Sequence, residues 1–236
     1  MHHVWSIFRR ELRAYFDAPI AYIVIVGFLL LTGWFFTTNL FVVGQADLRS
    51  VFGIVPFLFL LFTPAITMRL IAEERKTGTI ELLVTMPIPD GAIIVGKYLA
   101  AVALLTAMVL PTLFYGITVA TLGDMDAGPF IGGYVGLLLM GAAYLAIGTF
   151  GSSLTDNQVV AYILSLLIVF VFFLMDKILF FLPTWMVSTV EYLSIEFHFQ
   201  NISRGVIDTR DLIYYLTLIT LALFLAARSL GARRTH

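Results

Sequence analysis

The sequence contains no cysteine, so neither a disulfide nor a thiolate metal site contributes to fold or function. Charge is scarce: 12% of residues are charged while 60% are hydrophobic. A soluble domain of this length carries about twice that charge fraction, and the composition is that of an integral membrane protein. Histidine is rare as well, and His2, His3 and His236 are terminal, leaving His198 alone in the body of the chain. A zinc centre with three protein ligands needs more than that. No long apolar run carries an ionisable residue at its centre, which argues against a proton- or ion-coupled carrier. The net charge of −1 gives no reason to expect nucleic acid. No cleavable signal is expected either, because the first apolar run is too long for a signal-peptide core.

What the chain has instead is a series of uncharged stretches long enough to cross a hydrocarbon core of about 30 Å. They place spans at 20–43, 50–72, 94–123, 128–155, 157–176 and 211–230, in one transmembrane domain over 1–236. The last is the shortest uncharged run and spans if Arg228 snorkels. Segment 178–190 is too short to cross and contains Pro183, so 178–205 reads as a re-entrant outer segment of short helices. Six crossings put both termini on one side. With that side inside, the inner segments hold Arg9, Arg10, Arg13, Arg69, Arg75, Lys76, Lys97, Arg228, Arg233 and Arg234. The outer ones hold Arg49, Lys177, Arg204 and Arg210, and the 14 basic residues therefore split 10 to 4 in favour of cytoplasmic termini. Pro56, Pro64 and Pro111 are candidate kinks, and Gly132, Gly136, Ala142 and Ala146 are small residues that allow close helix packing.

Ahead of the first span, residues 1–18 form an amphipathic pattern. Trp5, Phe8, Leu12 and Tyr15 or Phe16 recur at helical spacing, with Arg9, Arg10, Glu11 and Arg13 on the other side. That suits a helix lying in the membrane interface, broken from the first span by Pro19. The densest charge falls at 73–89, between the second and third spans. There Arg75 and Lys76 suit the last turn of a helix leaving the membrane, and Gly78 is a natural C-terminal stop. A second short helix fits from Thr79 to Thr85, with Ile80, Leu83 and Val84 on one face, and ends before Pro87 and Pro89. An apolar stripe on so short a cytoplasmic helix calls for a protein cover. Nearby, 91–98 approaches the phosphate-binding loop pattern, but Tyr98 stands where a hydroxyl should hold magnesium, and the stretch opens a membrane span. Glu196, His198, Glu191, Asp208 and Asp211 make too sparse a donor set for a metal centre.

The run Glu73-Glu74-Arg75-Lys76-Thr77-Gly78-Thr79-Ile80-Glu81-Leu82-Leu83 resembles the coupling-helix motif of type-2 ABC exporter permeases. The segments from Arg10 to Phe16 and from Ala18 to Tyr22 are similar to the N-terminal helix and first-span entry of that family. His198-Phe199, Arg204 to Asp208, and Arg210-Asp211 look like the gliding-motility branch, which lies near the permease of nitrous-oxide-reductase maturation. The resemblance implies a six-span permease in a prokaryotic inner membrane, paired with a second or related permease and seated on two ABC ATPase subunits. ATP and magnesium would be bound by those subunits, and this chain would bind no cofactor and hydrolyse nothing. The resemblance points to Glu73, Glu74, Arg75, Gly78, Thr79, Glu81, Leu82 and Leu83 as the ATPase contact. It also implies an interfacial helix carrying Trp5, Phe8, Arg9, Arg10 and Arg13, an outer motif of His198, Arg204, Asp208 and Asp211, and an accessory periplasmic protein. Two other readings fit the residues: an ATP-independent secondary transporter or channel, and a membrane scaffold that recruits a cytoplasmic protein. Tyr115, Tyr134, Phe170 and Phe173 are aromatics available to wall a hydrophobic path.

Overall fold

The computed structural model describes residues 2–44, 47–79, 88–122 and 126–231. Every element among them is helical. Helix α1 (His2–Asp17) is followed after a single residue by α2 (Pro19–Thr38). Ala18 is extended and Pro19 sits in the first turn of α2, so the break falls where proline excludes a continuous helix. A π-helical turn, Asn39–Val43, closes this span against Gly44, which has a φ of 73°. Helix α3 (Arg49–Thr67) keeps Pro56 and Pro64 in its interior without ending, and short α4 (Ala72–Lys76) prolongs it after a turn. Next come α5 (Asp90–Val109), a 3-10 turn at Leu110–Thr112 and α6 (Leu113–Leu122). Pro111 lies in that turn, so this proline does interrupt its span. The chain continues with α7 (Ala127–Ser153), α8 (Gln158–Ile178), a 3-10 turn at Leu179–Phe181, α9 (Thr184–Leu193), α10 (Ile195–Ser203) and α11 (Thr209–Gly231).

Six of these stretches are long and apolar enough to cross a membrane: Pro19–Val43, Arg49–Lys76, Asp90–Leu122, Ala127–Ser153, Gln158–Phe181 and Thr209–Gly231. The protein is an all-α, multi-pass membrane protein. Segment 178–205 supplies no seventh crossing; α9 and α10 are ten and nine residues long. Helix α7 is the central post, packing against α3, α5, α8, α10 and α11. Its most apolar window is 72% buried, against 17% for α8 and α11, whose remaining apolar surface faces outward. Glycines make the post thin enough. A Cβ on Gly132 would stand 2.2 Å from the Ile202 carbonyl oxygen, and one on Gly136 would stand 2.9 Å from the Phe199 ring. The Gly132–Gly136 face therefore packs on α10 within the chain. Tyrosine hydroxyls tie the posts together, as where Tyr134 donates to the Thr112 carbonyl at 2.7 Å and Tyr98 to that of Ala142 at 3.1 Å.

The spans run alternately up and down, which gives the bundle two ends. The terminal face carries α1, α4 and the end of α11. The opposite face carries the π turn, the start of α3, α9 and α10.

Candidate functional site

At the terminal face, α1 docks on the start of α5. The stripe it turns inward is Ile7, Glu11 and Tyr15, at four-residue spacing. Gly96 permits this approach, since a Cβ there would lie 2.8 Å from Ile7 Cγ2. The expected face is thus corrected. Of Tyr15 and Phe16, the two alternatives for the end of the aromatic stripe, Tyr15 is buried, its hydroxyl donating to the Ile66 carbonyl at 2.8 Å, and Phe16 is half-buried. Glu11, expected on the polar side, also turns inward because a buried cation waits there. Trp5 is 55% exposed, stacks on Phe8, and has the Arg9 guanidinium 5.4 Å from its ring centre. Arg9, Arg10 and Arg13 are exposed.

The buried cation is Lys97, 1% exposed, on the second turn of α5. Its Nζ lies 3.1 Å from Glu11 Oε1 and 2.9 Å from Glu74 Oε1. Arg10 closes the cluster, with its guanidinium 2.7 Å from Glu11 and 2.9 Å from Glu74. Two cations facing two carboxylates balance the charge of a site that would be costly with any one charge unpaired, while Glu74 Oε2 is buried without a hydrogen-bond partner. Burial works against the charged form of Arg10, but Glu11 and Glu74 outweigh it and raise its pKa. Burial, reinforced by Glu11, raises the Tyr15 phenol. The near-match to a phosphate-binding loop at 91–98 is explained here. The stretch is continuous helix, and Lys97 holds side-chain carboxylates.

This junction fastens the charged stretch to the bundle. Ser152 on α7 accepts hydrogen bonds from the Ile71 and Ala72 amides at 3.1 and 3.2 Å and donates to the Met68 carbonyl at 3.1 Å. One hydroxyl thereby occupies the backbone groups freed where α3 breaks before α4. Glu73 pairs with Arg69 (Nη2 to Oε1, 2.9 Å), and Arg75 donates to the Ser229 carbonyl of α11 at 3.5 Å. Glu73, Glu74 and Arg75 therefore all face partners inside the chain. Helix α4 ends at Lys76, and Gly78 has a φ of 71°, a left-handed stop that favours glycine. Lys76, Thr77, Gly78 and Thr79 form the exposed rim. Glu81, Leu82 and Leu83, with the rest of the expected second helix from Ile80, lie outside the described residues.

The structure separates the four residues of the outer motif. His198 and Asp211 are brought together, Nδ1 to Oδ1 at 2.6 Å, both buried. His198 Nε2 donates to the Tyr192 carbonyl at 2.9 Å, and its ring stacks on Tyr214 with 3.9 Å between centres. This pair pins α10 to α11. Asp208 accepts from the Arg210 amide at 2.9 Å at the head of α11, and Arg204 is exposed after α10. Among the described residues no group of three or more His, Cys, Asp or Glu is arranged to hold a metal ion. Of the aromatics named as path walls, Tyr134 is a buried tie. Tyr115 stacks on Phe36 with 4.6 Å between ring centres.

On the same opposite face opens a cavity of about 830 Å³. Three parts of the chain line it: Asp47, Leu48, Arg49, Phe52 and Gly53; Val119 with Asp126, Pro129 and Phe130; and residues of α10 from Glu196 on, with Arg204. Sequence reading missed it, along with Glu11, Lys97 and Ser152. Lys97 had a signal, a lone cation inside an otherwise apolar helix, and Glu11 stands four residues from both Ile7 and Tyr15.

Six membrane-length helices, one of them a glycine-thinned central post, with a charged junction at one end, define a multi-pass membrane protein. Residues 37–227 match the family model described as ABC-2 family transporter protein, and the chain belongs to that family. It is accordingly a transmembrane permease component of an ABC transporter, a class that works with ATPase subunits. No curated protein matches the chain.

Proposed function

We propose that this chain is the permease half of an ABC exporter, receiving the ATPase stroke through α4 and the segment that follows it. The observation that carries this reading is the exposed rim Lys76–Thr79, held by Arg10, Glu11 and Glu74 gathered on the buried Lys97. A rim seated on rigid helices can pass a push to α1, α3 and α5 together, as a rigid-body shift. The docking surface is Lys76, Gly78 and Thr79 with Glu81, Leu82 and Leu83, while Glu73, Glu74 and Arg75 hold that surface in place. The terminal face is cytoplasmic. Arg9, Arg10, Arg13, Arg69, Arg75, Lys76, Lys97 and Arg228 lie on it, against Arg49, Lys177, Arg204 and Arg210 opposite. The exposed Trp5 and the arginines of α1 then lie at the inner interface of a prokaryotic inner membrane. Helices α9 and α10 form the re-entrant outer segment.

Two such chains, or this one and a related permease, pair over two ATPase subunits that bind ATP and magnesium; this chain hydrolyses nothing. The outer residues His198, Arg204, Asp208 and Asp211 favour the gliding-motility branch, with an accessory periplasmic protein on that side. Reconstitution in proteoliposomes with the ATPase subunits tests the reading. The K76E/T79R variant should lower permease-stimulated ATP hydrolysis by at least about tenfold, because a charge is misplaced at the contact. Its melting temperature should not change. Undiminished stimulation overturns the assignment of the rim.

A further inference from the structure

The cavity on the opposite face gathers both signs of charge on an aromatic floor. At about 830 Å³ it is within the size range of small-molecule sites. Helix α10 supplies one wall through Glu196, Phe199, Gln200 and Ser203, which recur at three- and four-residue intervals and so share a face. Arg204 follows one turn past Gln200, and Arg49, at the start of α3, lines the same cavity. Both guanidiniums are exposed, and neither makes a side-chain ion pair among the described residues. The acids are differently placed. Glu196 is 7% exposed; its Oε1 meets Lys177 at 2.8 Å, but its Oε2 is buried with no hydrogen-bond partner. Asp126 uses Oδ1 to accept from the Gly128 amide at 3.1 Å, leaving its other oxygen for another donor. Buried carboxylate oxygens without a donor are costly; Glu74 Oε2 and Asp211 Oδ2 are others, but of these three acids Glu196 alone lines the cavity, where an occupant can bring N–H groups beside it.

We infer that this cavity binds a phosphoethanolamine group, its phosphate on Arg49 and Arg204 and its ammonium toward Glu196 and Asp126. Forked guanidinium donors match a phosphate, and the ammonium brings N–H donors to the second Asp126 oxygen and positive charge beside Glu196. Phe52 and Phe199 complete the floor, where a glycerol backbone fits better than water. The cavity opens between the ends of membrane-length helices, beside exposed Leu122 and Ile131, so an ethanolamine phospholipid and a soluble phosphoethanolamine share the required chemistry. The site does not depend on the ATPase contact and stands or falls separately from it.

The test uses the full-length protein purified in detergent. Binding is followed by native mass spectrometry and by melting temperature, with dioleoyl-phosphatidylethanolamine, -phosphatidylglycerol and -phosphatidylcholine, and with soluble glycerophosphoethanolamine. The ethanolamine lipid should bind about tenfold more tightly than the glycerol lipid, which lacks the ammonium. R49Q/R204Q should lower that affinity about tenfold while leaving the lipid-free melting temperature unchanged, since neither guanidinium supports the fold. D126N keeps the helix cap through its amide oxygen and should erase the preference for ethanolamine. Binding by the lipid alone identifies a bilayer source, and equal binding by glycerophosphoethanolamine identifies a soluble one. Equal affinity for all three lipids, or full affinity in R49Q/R204Q, overturns the proposal.

Discussion

Removing the Lys97 ammonium leaves Glu11 and Glu74 facing one another across a buried gap, with only the exposed Arg10 to answer both. Breaking a buried ion pair by deleting one partner costs about 3 kcal/mol, more than a surface pair of the same length contributes. K97M should therefore lower the melting temperature in detergent and loosen α1, read as faster proteolysis within the first 17 residues. Adding E11Q and E74Q to K97M should recover part of the loss, because the charges left stranded are then gone. If K97M melts like the wild type, the cluster is a surface ornament and does not brace α4. At the same scale, Ser152 shows how little chemistry a helix break needs. One hydroxyl serves two amides and a carbonyl where α3 gives way to α4.

Helix against helix, the tightest approaches are set by glycine. G132A would drive a methyl group into the Ile202 backbone, which cannot turn aside as a side chain can. A cost of about 2 kcal/mol is expected by analogy with overpacked cores. G91A, in open space at the head of α5, should be neutral or slightly stabilising. Comparing the melting temperatures of the two variants checks this, and equal effects would mean that α7 and α10 are not packed as described. Most of the elements themselves are legible in the sequence, because a crossing helix is declared by an uninterrupted apolar run. The break at Pro19, the stop at Gly78 and the short helices after 178 are legible for the same local reasons. The inner stripe of α1 is not, since Glu11 reads as solvent-facing until Lys97 is known to stand opposite. The cavity is not legible either, because its walls come from residues near 50, 125 and 200 that only the folded bundle brings together.

For the whole molecule, the layout of charge sets the orientation in the membrane, and the absence of cysteine makes that easy to measure. Single cysteines at Arg13 and at Trp185, both exposed, should differ in whole cells. A membrane-impermeant maleimide should label R13C only after the membrane is opened and W185C before it. The reverse pattern would invert the topology and put the Lys76–Thr79 rim outside, beyond reach of any cytoplasmic ATPase. What touches that rim decides whether it is the ATPase contact. A photo-crosslinking amino acid placed at Thr79 of the intact protein, in cells of its own source, tests this directly. Mass spectrometry of the adduct should identify an ABC ATPase subunit, with no such adduct from Trp185 on the opposite face. Adducts from Thr79 that contain no ATPase, or an ATPase captured equally from both positions, would contradict it.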